Sequence, residues 1–218
     1  NPLIADNSID LVVSNCVLNL VHDNDKTKMI QEIFRVTKQG GRVAISDIIS
    51  DEYVPQHLKD DTTLWSGCIS GALQEQEMLE AFVAVGFVAV AYDKWESKPW
   101  QVVEGIEFRS VTITATKPKN EPCLDVGHAL IYRGPYSEVY DDEGHVYPRG
   151  QRIACCARSF NLMTQGVYGD DFIGITPKTL KEATSWCAPA GTIRPATETK
   201  GGTHSDITEC SNDETACC

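Results

Sequence analysis

The sequence has no surplus of basic residues. It contains 19 Lys and Arg against 31 Asp and Glu, which gives a formal net charge of −12 at pH 7. Nucleic acids and anionic membranes would therefore be repelled over the Debye length of about 8–10 Å. This imbalance excludes both polyanionic classes of partner and predicts a small molecule.

Long hydrophobic runs are also missing. The longest apolar stretches, such as Ala81–Ala91, are well short of the roughly 18 residues that a membrane span needs. The first residues also lack the basic stretch and apolar segment of a secretory signal. We expect a globular protein that contacts no membrane and resides in the cytoplasm.

Cysteine, in contrast, is abundant, with nine residues among the 218. The odd count and irregular spacing argue against a disulfide framework and favour reduced thiols that bind a soft ligand. In the strand-like stretch around Cys155 and Cys156, alternation sends the two thiols to opposite faces, so at least one is expected in the core. Cys210, Cys217 and Cys218 stand in an acidic tail, where burial does not explain them.

The first third of the chain predicts alternating strands and helices. The apolar run Leu11–Val13, followed by Ser14-Asn15, is typical of a buried parallel strand whose carboxyl end opens on a site. Lys26–Lys38 has apolar residues at helical spacing. Gly40-Gly41 is expected to end that helix, and Arg42–Ile49 to form the next buried strand.

A second helix is predicted around Met78–Val83, with Gly86 as its end. Phe87–Tyr92 and Phe108–Thr116 then predict two closing strands. This order of elements is typical of the second half of an open α/β sheet.

A change of composition predicts a domain boundary at the polar, proline-containing stretch 117–122. Residues 1–117 are expected to form the α/β domain, and residues 123–188 a small β-rich domain with a short helix around Ser159–Thr164. Residues 189–218 are rich in Gly, Thr, Ser and acidic residues, which predicts a flexible tail that carries cysteines.

Two groups of motifs carry a family resemblance. The stretch from Asp6 to Asn15, the helix after it and the glycine turn before Arg42 resemble the later half of class I S-adenosylmethionine methyltransferases. SNCVLNL (residues 14–20) and LWSGCISGAL (residues 64–73) resemble the two cysteine motifs of arsenite methyltransferases. The β-rich extension also resembles that of many family members.

The resemblance implies a Rossmann-like α/β sheet, S-adenosylmethionine as cofactor, and a trivalent arsenical held by Cys16 and Cys68. Thiolates suit arsenic because both are soft. The arsenic lone pair could then attack the cofactor's methyl group without a general base, with help from alignment and water exclusion. Asn15 would contact the cofactor, although it could simply cap a turn. Either cysteine could instead be an ordinary buried residue.

The sequence also departs from the family pattern. The glycine-rich turn from a strand to a helix, which cradles the cofactor, is missing. Gly40-Gly41 cannot replace it, because it is expected to follow a helix and precede a strand. We therefore expect a methyltransferase domain truncated at its N-terminus, largely inactive alone, whose third arsenic ligand lies upstream. Cys217 and Cys218 are further candidate arsenic ligands, and a thiol reductant is an expected partner. Two alternatives stay open: a non-catalytic thiol-rich module that binds arsenite or a soft metal, and a methyltransferase for another small molecule.

Overall fold

The computed structural model describes residues 2–165, 168–186 and 188–199. Its contacts divide the chain into unit 1, Asn1–Asn120, and unit 2, Glu121–Cys218. In the described part of the chain, no helix is both long and apolar enough to cross a membrane.

Unit 1 is built on one mixed sheet with helices. In chain order its elements are β1 (Ile9–Asn15), a 3-10 turn (Leu18–Leu20), α1 (Asp23–Val36), β2 (Thr37–Ser50), α2 (Gln56–Lys59), α3 (Thr62–Ser66), β3 (Leu73–Gln74), α4 (Glu75–Val85), β4 (Val88–Trp95), β5 (Gln101–Val103) and β6 (Ile106–Thr116).

The strand order is β1-β2-β6-β4, with β3 beside β2 and β5 beside β6. β1 and β2 are parallel, whereas β6 runs antiparallel to both β2 and β4. A parallel pair needs a crossover connection, and α1 lies in it. The α/β alternation predicted from the sequence is therefore present, and β1 and β2 end at the same edge of the sheet.

The two long helices cover the sheet with the apolar positions that their periodicity predicts. Ile30 and Ile33 of α1 and Met78 and Phe82 of α4 belong to one buried cluster with residues of β2 and β6. α4 ends at Gly86, which has φ +107°, a conformation that favours glycine. The predicted end of the second helix is thus confirmed.

Two local predictions were wrong. α1 ends at Val36, and Gly40-Gly41 lies inside β2, where Gly40 has φ +77° and the register with β1 shifts between Thr37 and Arg42. The glycines therefore form a bulge in a strand and do not end the helix. The run Leu11–Val13 is not buried throughout, because β1 has one strand neighbour and Leu11 and Val13 are exposed.

Unit 2 contains short strands and one helix. Its elements are β7 (Leu124–Asp125), β8 (Ala129–Tyr132), β9 (Glu138–Tyr140), β10 (Val146–Pro148), β11 (Ile153–Ala154), α5 (Ala157–Met163), β12 (Phe172–Ile175) and β13 (Thr184–Ser185). β8 lies between β11 and β12, while β9 pairs with β10 and β7 with β13. Its core contains Leu130, Tyr132, Tyr147, Ile153, Cys155, Met163 and Phe172.

Contacts of unit 2 extend into residues 189–199, which the sequence assigned to the tail. Arg194 is buried, and its guanidinium bonds Asp125 at 2.8 Å and the carbonyl of His128 at 3.1 Å. A buried guanidinium needs such partners, because an unpaired charge in the interior is costly. Residues 200–218 lie outside the described residues, so the flexible tail stays a prediction.

Candidate thiol site at the end of the parallel strands

Cys16 follows the last residue of β1. Its backbone N–H donates to the carbonyl of Ser46 in β2 at 2.8 Å, and its φ of +51° turns the chain out of the strand. The residue is exposed. It therefore lies at the carboxyl edge of the two parallel strands, which is where ligands of open α/β sheets bind.

Cys68 follows α3 in a loop and is 9% exposed. It also adopts a left-handed conformation, with φ +61°, and its N–H donates to the carbonyl of Trp65 at 3.0 Å. Apolar side chains that include Ile69 and Ala72 surround it in a second buried cluster of unit 1. Cys68 thus forms part of the hydrophobic core on one side.

The fold brings these two cysteines together and adds a carboxylate. The Sγ atoms of Cys16 and Cys68 and a carboxylate oxygen of Asp47 all lie within 4.8 Å of one another. The Cys68 thiol donates to the carbonyl of Cys16 at 3.8 Å. We call these three residues the unit 1 thiol site.

Asp47 was missed by the sequence reasoning. It is 1% exposed, and burial raises the pKa of its carboxyl group although the N–H groups of Ile48, Asn19 and Leu18 donate to it. The sequence did contain a signal, because a carboxylate inside the apolar strand 42–49 is costly to bury and therefore indicates a functional or structural role.

Asn19 links the loops that carry the site. Its side-chain amide donates to the carbonyls of Ile48 at 2.6 Å and Cys68 at 3.1 Å, and its backbone N–H donates to Asp47 at 3.3 Å. Its Oδ1 is buried without a protein partner among the described residues. Gly71 packs so closely here that an added Cβ would lie 1.9 Å from the Asn19 carbonyl oxygen. The position of the Cys68 loop thus depends on Asn19 and on glycine at 71.

The environment favours the thiol form of Cys68. Burial raises the pKa of Cys68, and the charges of Asp47 and Cys16 raise it further. Both sulfurs are soft donors, while the Asp47 oxygen is a hard one. The group can therefore offer two strong bonds to a soft ion and one nearby proton acceptor.

The remaining predicted site residues are not members of the unit 1 thiol site. Asn15 is the last residue of β1 and is exposed, directly before Cys16. In the described part of the chain no third cysteine joins the unit 1 thiol site. Cys217 and Cys218 lie outside the described residues.

Two protein families match separate parts of the chain. A methyltransferase domain matches residues 2–86 and a domain of unknown function, DUF8838, matches residues 119–204. Mouse arsenite methyltransferase is 32% identical over 180 residues, or 78% of this chain and 47% of its own length. Over most of its length the chain is therefore similar to arsenite methyltransferases. The resemblance read from the two cysteine motifs is thereby confirmed, as is the α/β class of the fold.

Two microbial methyltransferases are also similar to this chain. The Aquipseudomonas alcaligenes arsenite methyltransferase is 28% identical over 78% of this chain and 52% of its own length. A crystal structure of an arsenic(III) S-adenosylmethionine methyltransferase from Chlamydomonas reinhardtii aligns with a TM-score of 0.49 and 26% identity, covering 79% of this chain and 61% of that one. The chain spans about half the length of the curated relatives it matches.

S-adenosylmethionine is the cofactor that the matching methyltransferase domain implies. Asn15 suits such a ligand, since its amide is exposed at the carboxyl end of β1. The described residues contain no glycine-rich turn between a strand and a helix, because β1 passes through Cys16 and Val17 into the 3-10 turn. They therefore do not form the glycine-rich cradle of the cofactor.

Proposed function

We propose that this chain serves methyl transfer from S-adenosylmethionine to trivalent arsenic, and that Cys16 and Cys68 hold the arsenic. The observation that carries the proposal is the convergence of both sulfurs and the Asp47 carboxylate within 4.8 Å. Soft sulfur ligands prefer soft ions, and arsenic(III) is strongly thiophilic.

Capture of arsenite by the unit 1 thiol site exchanges oxygen for sulfur. For each thiol, one As–S bond forms and one As–OH bond breaks. The thiol proton and the departing hydroxide leave together as water. Asp47 can take the proton from a thiol and deliver it to the departing hydroxide, because its oxygen lies near both sulfurs. A raised pKa suits a carboxylate for this relay, since it binds the proton more readily.

The transfer step itself needs alignment more than acid or base. The arsenic lone pair is the nucleophile, and the cofactor supplies a methyl group on a positively charged sulfur. Cys68 holds the arsenic on the buried side and Cys16 on the open side, where Asn15 would contact the cofactor. Fixing the two reactants in this way supplies much of the rate enhancement.

Reduced cysteines and a thiol ligand from solution both indicate a reducing compartment. Two protein sulfurs leave one valence of arsenic for a third ligand, and a thiol reductant from solution suits that position. Reduced cysteines persist in reducing compartments, so we propose the cytoplasm as the location.

Arsenite binding tests the site directly. Titration of the chain with arsenite, followed by competition with an alkylating reagent, should show protection of Cys16 and Cys68 together. Cys68→Ser should weaken binding at this site by about 100-fold or more, because two-point attachment becomes one-point attachment. Ser66→Ala, at an exposed position two residues earlier, is the matched control and should bind like the unchanged chain.

Methyl transfer is best measured in the longest natural product of the gene. Cys68→Ser there should abolish methylated arsenic products, and retained transfer to arsenite would contradict the thiolate role. Calorimetric titration of the same natural product with S-adenosylmethionine and with arsenite separates the alternatives. Binding of arsenite alone by the natural product would favour a non-catalytic thiol module.

A further inference from the structure

A pocket in unit 2 is lined by three cysteines, Cys123, Cys155 and Cys156, together with His145 and Trp186. The side chain of Cys123 interacts with that of Cys156 and helps to lower the pKa of Cys156. Cys123 directly precedes β7 and Cys156 directly precedes α5, so the short elements of unit 2 bring them together. We call Cys123 and Cys156 the unit 2 thiol pair.

Polar neighbours stabilise the charged form of Cys156. Its Sγ accepts a hydrogen bond from the N–H of Ser159 at 3.4 Å and lies 3.3 Å from the Ser159 hydroxyl. Arg158 also hydrogen-bonds to this sulfur. Burial would raise the pKa of Cys156, but the contacts with Ser159, Cys123 and Arg158 outweigh it and lower the pKa. A buried sulfur with such neighbours is suited to bind a ligand as thiolate.

Cys155, the adjacent residue, has the opposite environment. It belongs to the apolar core of unit 2 with Leu130 and Tyr147. Burial raises the pKa of Cys155 well above its ordinary value, so it stays a thiol. Cys155 is thus the core cysteine that the sequence predicts, although both residues follow β11 and neither lies in a strand. Its apolar contacts make Cys155 a natural control.

The number of available ligand atoms limits which ions or compounds the unit 2 thiol pair can bind. Structural zinc takes four nitrogen or sulfur ligands. Across the described residues, the only group of three or more converging ligand side chains is the unit 1 thiol site. His145 is held by Asp141 at 2.8 Å. Two sulfurs therefore match a soft centre that has two exchangeable positions.

We propose that Cys123 and Cys156 bind a trivalent arsenical that carries one carbon substituent. Such an arsenical keeps its As–C bond and exchanges two hydroxyl groups for the two sulfurs. Two As–S bonds form, two As–O bonds break, and the two thiol protons leave with the hydroxyl groups as two molecules of water. No electron is transferred, so no oxidant is needed.

The source of this ligand rests on the proposed function. A first methyl transfer at the unit 1 thiol site produces a pentavalent monomethylated arsenical. Two thiols of the reductant would supply two electrons and form a disulfide, and unit 2 would hold the resulting trivalent product. Binding of a carbon-substituted arsenical to the pair does not itself depend on methyl transfer. The two proposals can therefore fail separately.

The test uses phenylarsine oxide, a trivalent arsenical with one carbon substituent, and the full chain in a phosphine reductant. After incubation, iodoacetamide labelling is followed by peptide mass spectrometry. Cys123 and Cys156 should be protected together, with one arsenic bound to the pair, while labelling of Cys155 should not change. If phenylarsine oxide does not reduce the labelling of Cys123 and Cys156, the proposal is overturned.

Variants then separate the two sites. Cys16→Ser/Cys68→Ser should leave protection of the unit 2 thiol pair intact, and loss of it there would overturn an independent second site. Cys123→Ser should weaken protection of Cys156 by about 100-fold or more. Cys155→Ala is the matched control and should retain protection. Failure at Cys16 and Cys68 with protection at unit 2 would count against the proposed function alone.

Discussion

Two cysteines with nearly the same burial differ in their chemistry. Cys68 in unit 1 is 9% exposed and Cys156 in unit 2 is 7% exposed. Burial and the charge of Asp47 raise the pKa of Cys68. Hydrogen bonds with Ser159, Cys123 and Arg158 outweigh burial at Cys156 and lower its pKa. Burial alone therefore does not decide whether a thiol is charged, because the polar neighbours of the sulfur decide it.

The largest effect is expected from a substitution that displaces the Cys68 loop and leaves Cys156 unchanged. Gly71→Ala would place a Cβ 1.9 Å from the Asn19 carbonyl oxygen, so the backbone of the loop has to move. We expect the free energy of unfolding of unit 1 to fall by about 3 kcal/mol. Arsenite protection of Cys16 and Cys68 should be lost, while phenylarsine oxide should still protect the unit 2 thiol pair.

Gly67→Ala is the control for this change. Its Cβ would lie 3.5 Å from the nearest atom, the carbonyl oxygen of Leu64, which is an ordinary contact. It should change the free energy of unfolding by less than about 0.5 kcal/mol. Urea denaturation of both variants measures the difference, and equal stabilities would contradict the assigned packing at Gly71.

Removal of the hydrogen bonds that tether the same loop should have a smaller effect. Asn19→Ala leaves the buried carbonyls of Ile48 and Cys68 without their donor. We expect a loss of about 2 kcal/mol in the free energy of unfolding and weaker arsenite binding. Asn24→Ala, at an exposed position of α1, should be neutral in both measurements. A neutral Asn19→Ala would show that the loop holds its place without this tether.

Local pattern was sufficient to predict some of these features. The apolar spacing of α4 and the glycine at its end predicted that helix, and two short motifs identified Cys16 and Cys68 as candidates. Local pattern did not reveal Asp47 as a member of the site, because its role depends on a loop that is distant in sequence. The exposure of Leu11 and Val13 was missed for the same reason, because the sequence of a strand does not determine how many other strands pair with it.

The difference in pKa direction also predicts different rates of alkylation. At pH 7, Cys156 should react with iodoacetamide several-fold faster than Cys68, because thiolate is the nucleophile and both residues are similarly buried. Raising the pH should narrow the gap as Cys68 ionises. Ser159→Ala removes the hydroxyl near Cys156 and should slow only Cys156. Equal rates at pH 7 in the unchanged chain would contradict the assigned environments.

The smallest expected effect concerns His145, which lines the unit 2 pocket. Its hydrogen bond to Asp141 raises its pKa above the ordinary 6.5, so the protonated ring stabilises the folded state. This contribution is complete below pH 6.5 and is lost as the pH rises through the raised value. His145→Gln should therefore lower the free energy of unfolding of unit 2 by about 0.5–1 kcal/mol at pH 5.5 and by less at pH 8.5.

The matched control for His145→Gln is a histidine pair of unit 1. His57 and Glu104 also lie 2.8 Å apart, but their side chains are 61% and 58% exposed, whereas those of His145 and Asp141 are 31% and 9% exposed. Exposed pairs contribute little because solvent screens them, so His57→Gln should be close to neutral at both pH values. Urea unfolding at pH 5.5 and 8.5 measures all three chains. A His145→Gln effect that grows with pH would contradict the sign of the shift, because a raised pKa in the folded state can stabilise only where the ring is protonated.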